Sequence, residues 1–275
     1  MKIHGTTKGG ALSKKDFGVA FGAPSAPSVL YPDSMGTSAN LSNQGSTLNT
    51  SGQLLGTGCW EFTNPDEATD EYIDADAIKA ITTTVGSINQ WCYVASGLAI
   101  NDFYTLCWGD ASVNEFLGIS REGGGGSDQR ARVHCRKSGV DQWKSETGDH
   151  DWTADAWHMI TLVQDGTAVK WYFDATEITT FLVDADKSAW LADLTGIDNC
   201  RIGCKSIANQ GNLSFYNGLM DSVCFWNTAI SSDIVDELWA DGAGKAIPSI
   251  STTDGIRAFY NCDSIDMEND AMPIS

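Results

Sequence analysis

Carboxylates are the side chains here best placed to do chemistry, and they cluster at Asp66-Glu67, Asp70-Glu71, Asp74 and Asp76. Two carboxylates about 5–5.5 Å apart can act as acid and nucleophile on a glycosidic bond. Asp74 and Asp76 share strand parity, but a third carboxylate at a matching step is missing, so the cluster reads as a solvated acidic loop. The histidines His4, His134, His150 and His158 are scattered and suggest no triad. No G-x-S-x-G elbow occurs, and the run Gly123 to Gly126 lacks the lysine and helix of a phosphate loop. The expectation is a protein without catalysis.

Aromatic faces offer binding chemistry instead, since they stack on sugar rings while a few polar groups fix orientation. Of ten tryptophans, Trp108, Trp143 and Trp152 lie near expected loops and are the candidates for glycan binding. The eight cysteines include Cys92, Cys107, Cys135, Cys200 and Cys224 inside strand-like runs, which reads as buried free thiols. Cys200 and Cys204 have no matching Cys or His pair elsewhere, so a structural zinc site is not expected.

The elements that must position these groups are strands. Charged residues are only 19% of the 275-residue chain, glycines number 28 and aromatics make up 10%, a profile of many short strands and turns. Strand-like pieces recur as GCWEFTN, NQWCYVAS, DFYTLCWG, NEFLGIS, QRARVHCRK, AWHMITLVQ, AVKWYFDA, CRIGCK, LSFYNGLMDSVCFW and IRAFYNC. An earlier piece, VLYP, is followed by a Ser/Thr/Asn/Gly-rich stretch expected to be a surface loop. The pair 157–163 and 168–174 flanks Asp165-Gly166, a tight-hairpin signal of type I′ geometry with positive φ at both central positions. Val169, Trp171 and Phe173 alternate with Lys170, Tyr172 and Asp174, whereas the first strand is apolar at both parities and so should be central and covered on both sides. One helix is predicted over 232–241, with Ser231 as N-cap, Ile230 stapling onto Val235, an Ile234, Val235, Leu238, Trp239 stripe, and Gly242 as its stop. The fold class is an all-β antiparallel sandwich with one short helix in the C-terminal half.

Charge divides the chain. Residues 1–28 carry Lys2, Lys8, Lys14 and Lys15 against Asp16, a net +3, which leaves −22 on the remainder of a chain of net charge −19. The arm, ending in GAPSAPS, is expected to be separate from a domain over 29–275, and Lys2, Lys8, Lys14, Lys15 and Phe17 are its candidate assembly contacts. Such acidity repels a phosphate backbone, and no Lys/Arg stripe is present, so nucleic acid is excluded as a partner. No stretch approaches the ~18 apolar residues of a membrane span, and the first twenty residues lack the apolar core of an export signal. The sequence therefore predicts a soluble cytoplasmic product.

Three segments in order resemble the laminin-G-like, concanavalin A-like lectin/glucanase superfamily. Trp157 to Gly166 running on to Lys170-Trp171-Tyr172-Phe173-Asp174 is similar to its "WHHVAVVYDG…LYVDG" hairpin, Phe215 to Val223 to its "F-x-G-x-I-D-D-V" strand, and Ala229-Ile230-Ser231 through Leu238, Trp239 and Gly242 to its "ALS…LYNAG" helix. The similarity covers roughly 29–262; Ala175 stands where the family has glycine, and Asp221-Ser222 where it has an Asp pair. The resemblance implies a jelly-roll sandwich and a structural calcium ion, for which Asp221 and Asp33 are the candidate ligands. It also implies that a hydrolase would carry an E-x-D-x-x-E strand, which is absent. The opening KIHGTTKGGALSKKDFGVAFG resembles N-termini preceding such domains in virion-associated proteins of marine phages.

Three functions follow as expectations. The first is a virion surface protein (decoration, capsid-associated or tail-associated) that docks capsid or tail proteins through its arm and forms a homo-oligomer or part of an assembly. The second is a lectin-like adhesion module for cell-surface polysaccharide. A glycoside hydrolase ranks last.

Overall fold

The computed structural model describes residues 41–64, 70–79, 81–96, 102–123, 129–247, 250–251, 255–260 and 262. Lys2, Lys8, Lys14, Lys15 and Phe17, the boundary expected at 28, the VLYP strand and Asp33 lie outside the described residues.

Apolar residues at a period of two give each strand one face to bury, and two sheets packed on those faces enclose the core. In chain order the strands begin with β1 (Ser42–Gln44), β2 (Thr47–Asn49), β3 (Cys59–Phe62), β4 (Tyr72–Asp74), β5 (Gly86–Tyr93) and β6 (Phe103–Gly109). They continue with β7 (Phe116–Glu122), β8 (Arg130–Lys137), β9 (Val140–Glu146), β10 (Trp157–Gln164), β11 (Val169–Phe173) and β12 (Thr176–Glu177). β13 (Phe181–Asp184), β14 (Asn199–Ile202), β15 (Lys205–Ser206), β16 (Asn212–Leu213) and β17 (Gly218–Trp226) follow, then helix α1 (Ser232–Trp239) and β18 (Ile256–Tyr260).

The first sheet has the order β1-β4-β14-β6-β7-β8-β9-β13, and the second β12-β11-β10-β5-β17-β3-β2. β5 occupies one edge of β17; the other edge is shared, β3 pairing with Gly218–Met220 and β18 with Val223–Trp226. The named pairings between strands are antiparallel, as expected for a jelly-roll sandwich.

Between the sheets lie Ile160 and Leu162 of β10, Trp171 and Phe173 of β11, Leu117 and Ile119 of β7, and Val133 and Cys135 of β8. β10 is central, flanked by β11 and β5, and its opposite-parity residues Met159 and Val163 are buried beneath Ile234, Val235 and Leu238 of α1. That double cover is why its sequence is apolar at both parities. On β17, Met220 and Val223 both enter the core although three residues apart; a register shift between Asp221 and Cys224, with Ser222 at φ 49°, absorbs the extra residue.

Helix α1 starts as its sequence predicts: the Ser231 hydroxyl accepts the Ile234 amide at 3.4 Å. It stops earlier than 241, because Ala240 adopts left-handed φ 46° and closes the helix with a bond to Asp236. Trp239 then stacks on Trp91 of β5, ring centroids 5.3 Å apart. No helix of the described residues is long and apolar enough to cross a membrane.

The two turns of the best-defined hairpin exchange roles relative to expectation. Between β10 and β11 four residues intervene, only Gly166 of the Asp165-Gly166 pair has positive φ, and Asp165 Oδ1 accepts the amides of Thr167 and Ala168 at 2.8 and 3.0 Å. The side chain of Asp165, forming an Asx-type turn, replaces the expected type I′ geometry. That geometry occurs instead between β11 and β12, where Asp174 (φ 50°) and Ala175 (φ 60°) connect paired Phe173 and Thr176 without a glycine.

All eight cysteines are buried free thiols. Burial raises the Cys107 thiol to about 12 and moves Cys92, Cys135, Cys200, Cys204 and Cys224 up as well, so these thiols stay protonated and inert.

Candidate functional site

Helix α1 covers only part of the outer face of the second sheet. On the uncovered part, strand parity turns Glu61 of β3, Tyr93 of β5, Leu219 of β17 and Trp157 of β10 away from the core, while Trp60, Phe62, Cys92 and Met220 point inward. A cleft of about 350 Å3 opens there, lined by Asn49, Glu61, Thr63, Tyr93, Asn217 and Leu219.

Its floor depends on Gly218. A Cβ at that position would lie 2.2 Å from the Tyr93 carbonyl oxygen, so only glycine lets β17 close on β5 here. The buried Tyr216 hydroxyl secures the junction: it lies 2.6 Å from the Leu219 carbonyl and 2.8 Å from the Tyr93 carbonyl, and accepts the Tyr93 amide at 3.2 Å. Desolvation raises this phenol well above its ordinary pKa, which keeps its proton available as a donor.

Asn49, at the end of β2 where the loop to β3 begins, lines one side of the cleft. Asn49 Oδ1 accepts the Ser51 and Gly52 amides at 2.9 and 2.8 Å, and its Nδ2 donates to Glu61 Oε2 at 3.2 Å, which orients the carboxylate. The same loop is tied to β17, because Asp221 Oδ2 accepts the Leu54 and Leu55 amides. Trp157 Nε1 donates to the Gly52 carbonyl at 3.2 Å, and the Trp157 ring lies 5.7 Å from that of Tyr93. The Tyr93 hydroxyl lies 3.4 Å from Asp155 Oδ1, an oxygen that also accepts the Ser96 amide. Desolvation and then the Asp155 charge raise the Tyr93 pKa, so the phenol is neutral. The half-buried Asn217 amide has no hydrogen-bond partner among the described residues.

The residues singled out from sequence fall elsewhere. Trp108, Trp143 and Trp152 are corrected: each is 0% exposed, so none presents a face to a sugar. Trp108 packs edge-on against Phe225, Trp143 Nε1 donates to the Ala189 carbonyl, and Trp152 is surrounded by Phe103, His158 and Phe173. Trp108 and Trp143 sit at inward parity on β6 and β9, and Trp152, though in a loop, folds in between the sheets.

Asp221 was the candidate calcium ligand. Its Oδ2 accepts the Leu54 and Leu55 amides at 3.1 and 2.9 Å. Among the described residues no three His, Cys, Asp or Glu side chains converge as ligands, and the second candidate, Asp33, lies outside them.

Within the acidic cluster Glu71, Asp74 and Asp76 make structural contacts, and Asp70 is exposed. Asp74 and Asp76 both bind Arg201 Nη1, at 3.0 and 2.5 Å, and Glu71 Oε2 accepts the Thr63 amide; Asp66 and Glu67 lie outside the described residues. His158 meets Asp174 Oδ2 at 2.7 Å through Nδ1 and the Thr153 carbonyl at 3.0 Å through Nε2. The Thr153 hydroxyl lies 3.1 Å from that same Nε2, so Thr153, His158 and Asp174 form one hydrogen-bonded line in which the tautomer decides which ring nitrogen donates.

Glu61, Tyr93, Trp157 and Asn217 were not found from sequence. The available signal was parity: Glu61 alternates with Trp60 and Phe62 inside an otherwise apolar strand, so it had to face outward.

Known proteins resemble the chain at the level of fold. No curated protein matches it. Among solved structures, the CBM40 module of a Ruminococcus gnavus IT-sialidase bound to alpha2,3 sialyllactose is 14% identical with TM-score 0.51, covering 70% of this chain and 100% of that one. Full-length tailspike protein 2 of Escherichia coli O157:H7 bacteriophage CAB120 is 10% identical with TM-score 0.57, covering 82% of this chain and 30% of that one. The sequence model of the Laminin_G_3 family, described as concanavalin A-like lectin/glucanases, matches residues 66–236, more than half of the chain. The architecture, the three ordered motifs and this match agree: the chain belongs to the concanavalin A-like lectin/glucanase superfamily.

Proposed function

We propose that this protein is a non-catalytic glycan-binding module and that the cleft beside Tyr93 holds the saccharide. The observation that carries this reading is the pairing, in one cleft, of the Tyr93 ring, backed by Trp157, with the unpartnered Asn217 amide and the oriented Glu61 carboxylate. Rings of this kind stack on pyranose faces, and amides and carboxylates bond paired hydroxyls. The likeness to a module bound to sialyllactose supports a saccharide as ligand. Against hydrolysis, Glu61 is the single carboxylate among the described lining residues, whereas a retaining mechanism needs two about 5–5.5 Å apart. A glycan array probed with the chain, with Tyr93→Ala and with Asn217→Ala tests this: signal on a defined set of glycans should fall at least tenfold in both variants. A blank array, or equal signal from all three proteins, overturns it.

A second reading places the module on a virion surface, with residues 1–28 as the anchor to capsid or tail proteins and 29–275 as the exposed domain. It is supported by the +3 arm on an acidic body and by the fold-level likeness to a bacteriophage tailspike protein. Deletion of residues 1–28 should abolish co-sedimentation with particles while leaving saccharide binding intact; retained co-sedimentation removes this reading.

A further inference from the structure

We infer that the cleft selects saccharides carrying a protonated amine, such as oligosaccharides of unacetylated hexosamine, and disfavours those carrying a carboxylate. This rests on the reading of the cleft as a glycan site and specifies its ligand. Among the described lining residues there is no Lys, Arg or His, and the charged group that faces the cavity is Glu61. The groups just behind the lining have the same sign: Asp155 lies 3.4 Å from the Tyr93 hydroxyl, and Glu71 holds the Thr63 amide. The whole chain adds a field of net charge −19.

Glu61 is turned toward the cavity by Asn49, whose amide occupies one carboxylate oxygen at 3.2 Å. An ammonium meeting the other oxygen forms a charge-assisted hydrogen bond, stronger than one from a hydroxyl. The Tyr93 ring, which lines the cavity, adds aromatic surface whose negative face attracts a cation and not an anion. A ligand carboxylate would meet these same groups, and among the described lining residues it would find no guanidinium or ammonium and one side-chain amide without a partner, that of Asn217. The cleft therefore differs in ligand charge from what the sialyllactose-bound neighbour of similar fold accommodates.

The test is calorimetric titration of the full chain at pH 6 with glucosamine trisaccharide, its fully N-acetylated form and 3′-sialyllactose. The amine-bearing trisaccharide should bind at least tenfold more tightly than the acetylated one, with sialyllactose weakest. Glu61→Gln keeps the shape and the bond from Asn49, and should erase the amine preference, read as the ratio of the affinities for the amine-bearing and acetylated trisaccharides falling from at least tenfold to about one. Because one charge in −19 is a small change in the overall field, this variant separates recognition at the cleft from general attraction of a cation to an acidic protein. On the unaltered chain, raising salt from 20 to 300 mM should narrow the preference. Equal or tighter binding of sialyllactose, or a preference that survives Glu61→Gln, overturns the inference but leaves a glycan site in place. Binding of none of the three overturns both.

Discussion

Asp221 Oδ2 accepts the Leu55 amide at 2.9 Å across 166 residues of sequence, and the Leu54 amide at 3.1 Å. This carboxylate, 0% exposed at the β17 bulge, fixes the loop that follows Asn49, a residue lining the cleft. Replacing it with alanine orphans two amides, and hydrogen bonds to charged groups are worth about 1.5–3 kcal/mol. Asp221→Ala should lower stability by about that amount in urea denaturation and weaken saccharide binding through loss of loop position. An unchanged midpoint and unchanged affinity would remove Asp221 from both roles.

Ala175 adopts left-handed φ 60° in the turn between β11 and β12. A left-handed L-residue costs roughly 1 kcal/mol relative to glycine. Ala175→Gly should raise stability by about 0.5–1 kcal/mol, seen as a later urea midpoint; a loss of stability would show that the alanine methyl contact beneath α1 outweighs the backbone strain.

Arg121 is 2% exposed on β7, with its guanidinium carbon 5.6 Å from the centre of the Phe103 ring and no ion pair among the described residues. Desolvation lowers its pKa from the ordinary arginine value. A buried charge without a counter-charge is costly, so Arg121→Met should stabilise the fold by about 1 kcal/mol or more. Thermal unfolding at a lower temperature than the parent chain would contradict this.

His134 lies 2.9 Å from Asp141 and edge-on to Phe116, with Arg136 and Lys144 also acting on it. Burial brings its pKa down to about 4, against the pull of Asp141. The unfolded chain, with histidine near 6.5, therefore binds a proton that the folded chain refuses between pH 6.5 and about 4. The neutral histidine's contribution is complete above pH 6.5 and is lost as pH falls toward 4, on the order of 2–3 kcal/mol in all. His134→Gln should lose less stability between pH 7 and pH 4.5 than the parent chain; parallel curves would refute the assignment.

How much of this could be read from residues alone depends on the range of the interaction. The β10 and β11 strands, the Ser231 cap and the α1 stripe rest on neighbours a few positions apart, and they form where the sequence places them. The cleft rests on pairs such as Asn49 with Glu61, Tyr93 with Trp157, and Asp221 with Leu55, which meet only after β5, β17 and β3 are set side by side. Local pattern gives the parity of Glu61 but not which strands adjoin it, so the composition drew attention to Trp108, Trp143 and Trp152, which the core consumes.

The sequence by itself determined the class: period-two strands, one amphipathic helix, an acidic body and three motifs of the superfamily in their order. Only the tertiary structure decided which aromatic rings face solvent, where Asp221 spends its carboxylate, and that Asn217 keeps a free amide. The physical reason is that strand register and sheet order are global properties. A one-residue shift in the β17 bulge would exchange the inner and outer faces of half that strand, and no local pattern records it.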